Sequence, residues 1–317
     1  MVCTVVWFRR DLRLADHAAL SAACQRGAVL PVFVLDRQLL FHPETAVARV
    51  AFMLNSLKAL DQDLRRCGGR LLIRRGDPAE ELLKLVHSSG ADAVVAHTDS
   101  ERLVGRVRDI RVSRCLAAAG IPMRWIEPAG SCAELMPYSA WSQQWHQAMA
   151  TPALPVPQRI VVPPPSQALP DLPVPSLEEL GLRADGKPIP PGGSNAAHQR
   201  LEHFCSGPSS RTYYWELSYP SARVTTGLSP YLKFGVITPR QCLQRLAELL
   251  PGDRRQPRSR SALQLASRLR WGCAIHQRFR YLPQLELCSL WSVFDGASTT
   301  GDACLSAEQE QLYAAWQ

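Results

Sequence analysis

Residues Thr225–Ser229, TTGLS, bring three hydroxyls into five positions, with Gly227 among them and Pro230 directly after. Hydroxyls and backbone N–H groups hold phosphates. Glycine lets the backbone approach closely, and a proline opening a helix puts an anion-favouring terminus beside them. The plainer reading of the same residues is a helix N-cap made by Ser229. A second stretch is dense in arginine: Arg254, Arg255, Arg258 and Arg260, then Arg268, Arg270, Arg278 and Arg280, with Trp271, Phe279 and Tyr281 interleaved. Cations neutralise phosphates and aromatic faces stack on bases, so this run reads as a nucleic-acid face. The alternative is a solvated basic helix with Trp271 in the core. Two more clusters follow apolar runs: FRRDLR, with Arg9, Arg10, Asp11 and Arg13, and HTDSE, with His97, Asp99 and Glu101. Each either faces a ligand or closes an internal salt-bridge network.

The elements that position these residues follow from periodicity. Apolar runs at 4–8, 28–36, 70–76, 92–97 and 122–127 read as strands. They alternate with helical stretches at 16–26, 46–67, 78–89 and 101–120, of which the first is expected to be capped by Asp16 and the third by Asp77, with Pro78 at its first position. Strands that are apolar throughout and separated by helices give a parallel sheet covered on both faces, a doubly wound, Rossmann-like α/β domain. Ligands of such sheets sit beyond the carboxyl ends of the strands, where FRRDLR and HTDSE both fall, although no GxGxxG follows the first strand. Twelve of the 25 prolines lie between Pro152 and Pro191. That segment reads as a linker, in part extended, and its interleaved Val, Leu and Ile favour an ordered strap over the first domain. From 194 onward the pattern is helical, with helices expected over 238–250, capped by Thr238, and over 259–282. The expected domains are 1–130, a linker at 131–193, and an all-α unit at 194–317.

Composition bounds the partners. A chain of 317 residues with 46% hydrophobic and 20% charged residues can bury two cores, and a net charge of +8 suits polyanions. The ten cysteines form no CxxC pair, which argues against a structural zinc site or a disulfide scaffold and for reduced thiols in a cytoplasmic protein. The opening run is too short for a signal peptide, and no stretch reaches the ~20 apolar residues of a membrane span.

Three segments in this order, VVWFRRDLRLADHAAL, TYYWELSYPSARVTTGLSPYLKFGVITPRQCLQRL and SRLRWGCAIHQRFRYLPQLE, closely resemble the DNA photolyase and cryptochrome family. FRRDLRLADHAAL is similar to that family's FRxDLRxxDxxAL opening, and LSPYLKFGVITPRQ to its flavin-domain signature LSPYLxxGxxSPR. The resemblance implies an α/β antenna domain and an all-α FAD-binding domain. It implies that Tyr213 and the stretch Thr225, Thr226, Gly227, Leu228 and Ser229 contact the phosphates and ribityl chain of FAD. The family's TSRLS appears here with Thr226 for the serine and Gly227 for the arginine, so one charged contact is lost. Trp271 matches the tryptophan lining the pocket for a flipped pyrimidine dimer. The acidic residue of that region is absent and Cys273 stands in its place, in a pattern that resembles a branch nearer plant cryptochromes, where Gln277 is a polar contact. Arg278 and Arg280 are expected on DNA. Arg9, Arg10 and Asp11 are expected to hold the antenna domain's loops, with His97, Asp99 and Glu101 near an antenna chromophore, methenyltetrahydrofolate or deazaflavin.

Residues 310–317 resemble the run before the family's GxTGxPxVDAxMRxLxxTGWxHNR segment, which this sequence does not contain. The expectation is an antenna domain with only the first half of a flavin domain, in a fragment, a disrupted gene product or half of a split protein. A second chain supplying the other half is then an expected partner. The implied function is light-dependent repair of pyrimidine dimers in DNA by electron transfer from reduced FAD. The alternatives are a cryptochrome-like photoreceptor and a non-catalytic remnant that binds a chromophore or nucleotide.

Overall fold

The computed structural model describes residues 2–99, 102–163, 172–250, 253–290 and 311. The expectations for Glu101, for residues 164–171 of the linker and for most of 310–317 lie outside these residues. The first part runs β1 (Cys3–Phe8), α1 (Ala18–Arg26), β2 (Ala28–Leu35), α2 (Arg37–Leu40), α3 (Val47–Arg66), β3 (Leu72–Arg75), α4 (Pro78–Ser89), β4 (Ala93–His97), α5 (Leu103–Ala118) and β5 (Met123–Ile126). The strands form one parallel sheet in the order β3-β2-β1-β4-β5. The order reverses beside β1, so the switch-point crevice opens past the carboxyl ends of β1 and β4.

Alternation along β1 explains the two covered faces. Val6 and Phe8 point to the core shared with α1 and α3, whereas Cys3, Val5 and Trp7 point to the one built with α4 and α5. Pro31 sits inside β2 without breaking the ladder. The neighbouring Val29 N–H donates away from β1, to the carbonyl of Val161 at 2.8 Å. Two residues on, the missing N–H of Pro31 falls on that same side, so the pairing with β1 is kept.

The linker is more structured than its prolines imply. It contains α6 (Tyr138–Ala150), whose Trp141, Trp145 and Met149 recur every four residues and pack with Cys132 into a small separate core. The helix is legible in that spacing and ends before the proline-dense stretch 152–191 begins. Past α6 the chain runs extended over the α/β unit: Ile160 is buried, and its N–H reaches the carbonyl of Cys67 at 2.7 Å. Further on, a Cβ at Gly192 would lie 2.5 Å from the backbone nitrogen of Ser56, so only glycine lets the strap close on α3.

The remaining elements are helical: α7 (Ser194–Ser206), α8 (Ser209–Glu216), α9 (Ser229–Lys233), α10 (Pro239–Ala247) and α11 (Pro257–Tyr281). Thr238 and Gln241 cap α10 reciprocally, and Asp77 caps α4. Ser229 is the first residue of α9 rather than its cap, which is Leu228. Phe52 of α3 meets Tyr231 edge-on at 5.1 Å and Phe234 at 5.7 Å, so α3 is buried between the sheet and the helices.

Asp16 departs most from expectation. The cap of α1 is His17, whose Nδ1 accepts the Leu20 N–H at 3.0 Å. Asp16 instead adopts φ 55 and points its carboxylate, 4% exposed, into the seam with the helices. It takes both ends of the Arg240 guanidinium, with Nε at 3.2 Å, the Thr238 hydroxyl at 2.7 Å, and the Leu154 N–H at 3.3 Å. Burial alone would raise its pKa, but the hydrogen bonds from Arg240 and Thr238 bring it below the usual carboxylate value. Removing one partner of such a pair leaves a bare buried charge, so Asp16→Ala is expected to lose about 3–5 kcal/mol in urea unfolding. An unchanged midpoint would sink this clamp.

Candidate functional site

The charge cluster after β1 is an internal network at the switch point. The backbone N–H of Arg9 donates to Asp11 Oδ1 at 2.7 Å. The Arg9 guanidinium pairs with Asp109 of α5 at 2.5 Å, bonds the carbonyl of His97, and lies 4.7 Å from the centre of the Trp7 ring and 5.0 Å from that of Trp125. Arg10 grips Asp99 with Nε at 3.2 Å and a second, shorter bond. Burial would raise the Asp99 pKa, but Arg10 and then Arg9 hold it well below the carboxylate range. Arg13 joins the carbonyls of Asp16 and Gly235. Five of the antenna-region residues, Arg9, Arg10, Asp11, His97 and Asp99, are thus tied to one another or to their neighbours.

Asp11, His17 and His97 present three potential ligand atoms within 4.8 Å of one another. Hydrogen bonding assigns their protons. Leu20 N–H donates to His17 Nδ1 at 3.0 Å and Ala19 N–H to His97 Nε2 at 3.4 Å, so those nitrogens carry lone pairs. The protons therefore sit on the nitrogens facing Asp11 Oδ2, at 3.1 Å for His17 and 2.7 Å for His97. A cation would have to displace both; His97 hydrogen-bonds Asp11, and His17 Nε2 faces the same oxygen as a close polar contact. Burial lowers the His17 pKa to about 4 against the pull of Asp11, and the two histidines together hold Asp11 well below its usual value despite its burial.

This network forms one wall of a cavity of about 700 Å³ between the sheet edge and the helices. Arg10 and Asp99 line it from the sheet side; Ser229, Lys233, Arg268 and His276 line it from the helical side. Burial, then Arg10 and Arg49, lowers Lys233 to about 8. A smaller space of about 140 Å³ past β1 and β2 shares Arg10, Asp99 and Lys233 with it. The signature that ends in Arg240 gives that residue no role, and nothing in the sequence pattern pointed to Lys233 or His276, because only the docking of the two parts brings all three to this seam.

The hydroxyl-rich loop spans exposed and buried positions. Thr225 and Ser229 are exposed, and Thr226 Oγ1 accepts the Leu228 N–H at 3.3 Å. Leu228 plugs the core, and Tyr213 is buried edge-on against Phe204 at 5.3 Å, with its pKa raised by burial. Gly227 has φ +66, and Arg200 Nε reaches across from α7 to the Thr226 carbonyl at 2.8 Å.

Helix α11 divides its residues between two faces. Trp271, 61% exposed, shares one with Ile275 and Arg278. Cys273, Gln277 and Arg280, with the same spacing, turn inward, Cys273 onto the small core of α6 and the other two onto the chain that follows β4 and β5. The Gln277 amide clasps the backbone of Cys132 at 2.9 and 2.7 Å. Arg280 bonds Thr98 at 3.1 Å and Glu127 at 2.6 Å. Gln277 and Arg280, read from sequence as substrate contacts, have these hydrogen bonds committed within the protein. Helical spacing separates them from Trp271 and Arg278. Burial raises the Cys273 thiol pKa.

Comparison with known proteins follows this geometry. The family model described as DNA photolyase matches residues 4–158. A deoxyribodipyrimidine photo-lyase of Synechococcus sp. (strain ATCC 27144 / PCC 6301 / SAUG 1402/1) is 32% identical over 98% of this chain and 66% of its own length. Cryptochrome-2 of Gallus gallus is 31% identical over 84% of this chain and 50% of its own. The chain thus spans between half and two thirds of the length of these relatives. A crystal structure of a bacterial class III photolyase from Agrobacterium tumefaciens superposes with a TM-score of 0.77 at 23% identity, covering 100% of this chain and 65% of that one, which establishes likeness of fold.

The His17 triad makes stability depend on pH. The folded state keeps His17 neutral down to about 4, whereas the unfolded imidazole takes up a proton below about 6.5. Stability is therefore complete above that range and falls by about 3 kcal/mol as pH drops through it. Asp11 adds a further loss at lower pH, where its carboxylate is protonated first in the unfolded chain. Urea midpoints at pH 7, 5.5 and 4.5 measure the slope. His17→Asn keeps the cap but not the titration, and is expected to flatten it; an equal slope in that variant would refute the assignment.

Proposed function

The chain belongs to the DNA photolyase and cryptochrome family, and we propose that it binds FAD on its helical part and repairs pyrimidine dimers in DNA under blue light. The observation that carries the reading is the face of α11, where the exposed indole of Trp271 stands beside Arg278. A ring free to stack and a cation free to meet phosphate are what a protein offers to a base turned out of the duplex.

The hydroxyl loop fits a dinucleotide. Thr225, Thr226 and Ser229 supply donors suited to phosphate oxygens. A Cβ at Gly227 would lie 2.6 Å from the Arg200 guanidinium, so the bare glycine leaves room for that cation beside the loop. Bound and reduced, the flavin would supply a light-driven electron to the dimer. The protein's share is to hold the phosphates at this loop, present Trp271 and Arg278 to the DNA, and keep α11 in place through Gln277 and Arg280. An antenna chromophore, methenyltetrahydrofolate or a deazaflavin, is assigned to the cleft by Arg10 and Asp99, at the switch point where α/β sheets take their ligands. The cytoplasm is the compartment this reading implies.

A second reading, a cryptochrome-like photoreceptor, draws on Cys273. Its thiol, pushed up by burial, stays neutral near pH 7 and provides no charge where the family has an acid.

The test is repair of a cyclobutane thymine dimer in an oligonucleotide by the purified chain with reduced FAD. Repair in blue light and none in the dark is expected. Flavin binding without repair would favour the photoreceptor, and no flavin binding would refute both. Trp271→Ala is expected to weaken binding of the dimer-bearing oligonucleotide by about 1–3 kcal/mol while flavin affinity is unchanged. Equal DNA affinity in that variant would remove Trp271 from the interface.

A further inference from the structure

We propose that Arg200 is the cation that holds the diphosphate of the flavin dinucleotide, reaching from α7 over the side-chain-free Gly227; the inference rests on the flavin reading of the loop. Three observations converge on it. The guanidinium is oriented, because its Nε donates to the Thr226 carbonyl at 2.8 Å. Its position requires glycine, since a Cβ at residue 227 would lie 2.6 Å from one terminal nitrogen, 2.7 Å from Nε and 3.0 Å from Cζ. Its charge is uncompensated, because no acidic partner pairs with Arg200 among the described residues. The neighbouring acid on α7, Glu202, is taken by Arg245 at 2.7 and 3.0 Å and by Ser206. The hydrogen bonds from Arg245 and then Ser206 hold its pKa down at about 2.

Arg200, Thr225 and Ser229 are all exposed, and the terminal guanidinium nitrogens lie over Gly227 within the same loop. One planar fork with two hydroxyl donors suits two bridged phosphates. The arrangement makes up for the charge missing at residue 227 itself. An arginine placed there would have to adopt φ +66, which side chains rarely do; reached from the adjacent helix, the cation arrives without that strain.

The test uses the full chain and equilibrium titration by flavin fluorescence, with FAD and with riboflavin, which lacks the phosphates. Arg200→Gln is expected to weaken FAD binding about 10–100-fold and leave riboflavin affinity unchanged. It should also reduce the salt dependence of FAD binding. Arg200→Lys, which keeps the charge but not the fork, is expected to lie between. FAD affinity unchanged in Arg200→Gln overturns the inference and leaves the flavin reading standing. Equal losses for FAD and riboflavin also overturn it, by reducing Arg200 to a brace for the loop. A wild-type chain that binds no FAD overturns both. Should Arg200→Gln fail to fold, the Arg200→Lys comparison of FAD with riboflavin decides by the same criteria.

Discussion

A carboxylate taken out of water must find full compensation, and Asp16 finds it only when three distant parts of the chain meet. Arg240 and Thr238 come from the start of α10, Leu154 from the strap, and Arg13 turns back from the β1 loop to hold the carbonyls of both Asp16 and Gly235. The net gain of such a pair over water is small, because desolvation offsets most of the attraction. Its weight lies in the alternatives: any docking of helices on sheet that misses this register leaves a bare charge in the seam. The left-handed backbone at Asp16 is tolerated for the same reason, since the contacts around it determine that conformation.

With that seam set, the crevice beside β1 and β4 becomes a cationic cleft walled by sheet and helices rather than a bare sheet edge. Its charges are sorted by depth. At the back, where an unpaired charge would be costly, Arg9 pairs with Asp109, and Asp11 is held by the Arg9 N–H and His97 with neutral His17 beside it. Lys233 and Arg268 stand across the space from them. The wall is thus pre-organised by its own hydrogen bonds, and a ligand entering the cavity meets positive charge without having to order it.

Helix α11 performs two tasks that its sequence merges into one basic run. One face is tied down: Gln277 reads the backbone of Cys132 as a paired strand would, and Arg280 bridges the loops after β4 and β5. The other leaves Trp271 and Arg278 to solvent. Rigid attachment on one side is what makes an exposed indole on the other a positioned group rather than a mobile one.

The parallel sheet, its order of strands and helices, and the caps Asp77 and Thr238 were legible in the sequence because they depend on near neighbours: apolar runs, side-chain reach of two or three residues, and proline's fixed φ. The family was legible for a related reason, since its motifs are contiguous. Helix α6 is readable in its four-residue tryptophan spacing, which ends before the proline-dense stretch begins. What no local pattern could supply was pairing across the fold. Asp16 read as a cap because its local chemistry allows one, and only Arg240, 224 residues away, makes it a clamp. Gln277 and Arg280 read as ligand contacts because nothing local shows Cys132 or Glu127 waiting for them. Arg200 carries no local mark, because its relation to Gly227 joins α7 to the loop before α9. Residue types set which bonds each side chain is able to make, and the tertiary structure alone chose the partners, because a buried charge or amide is satisfied by whatever the packing brings within reach.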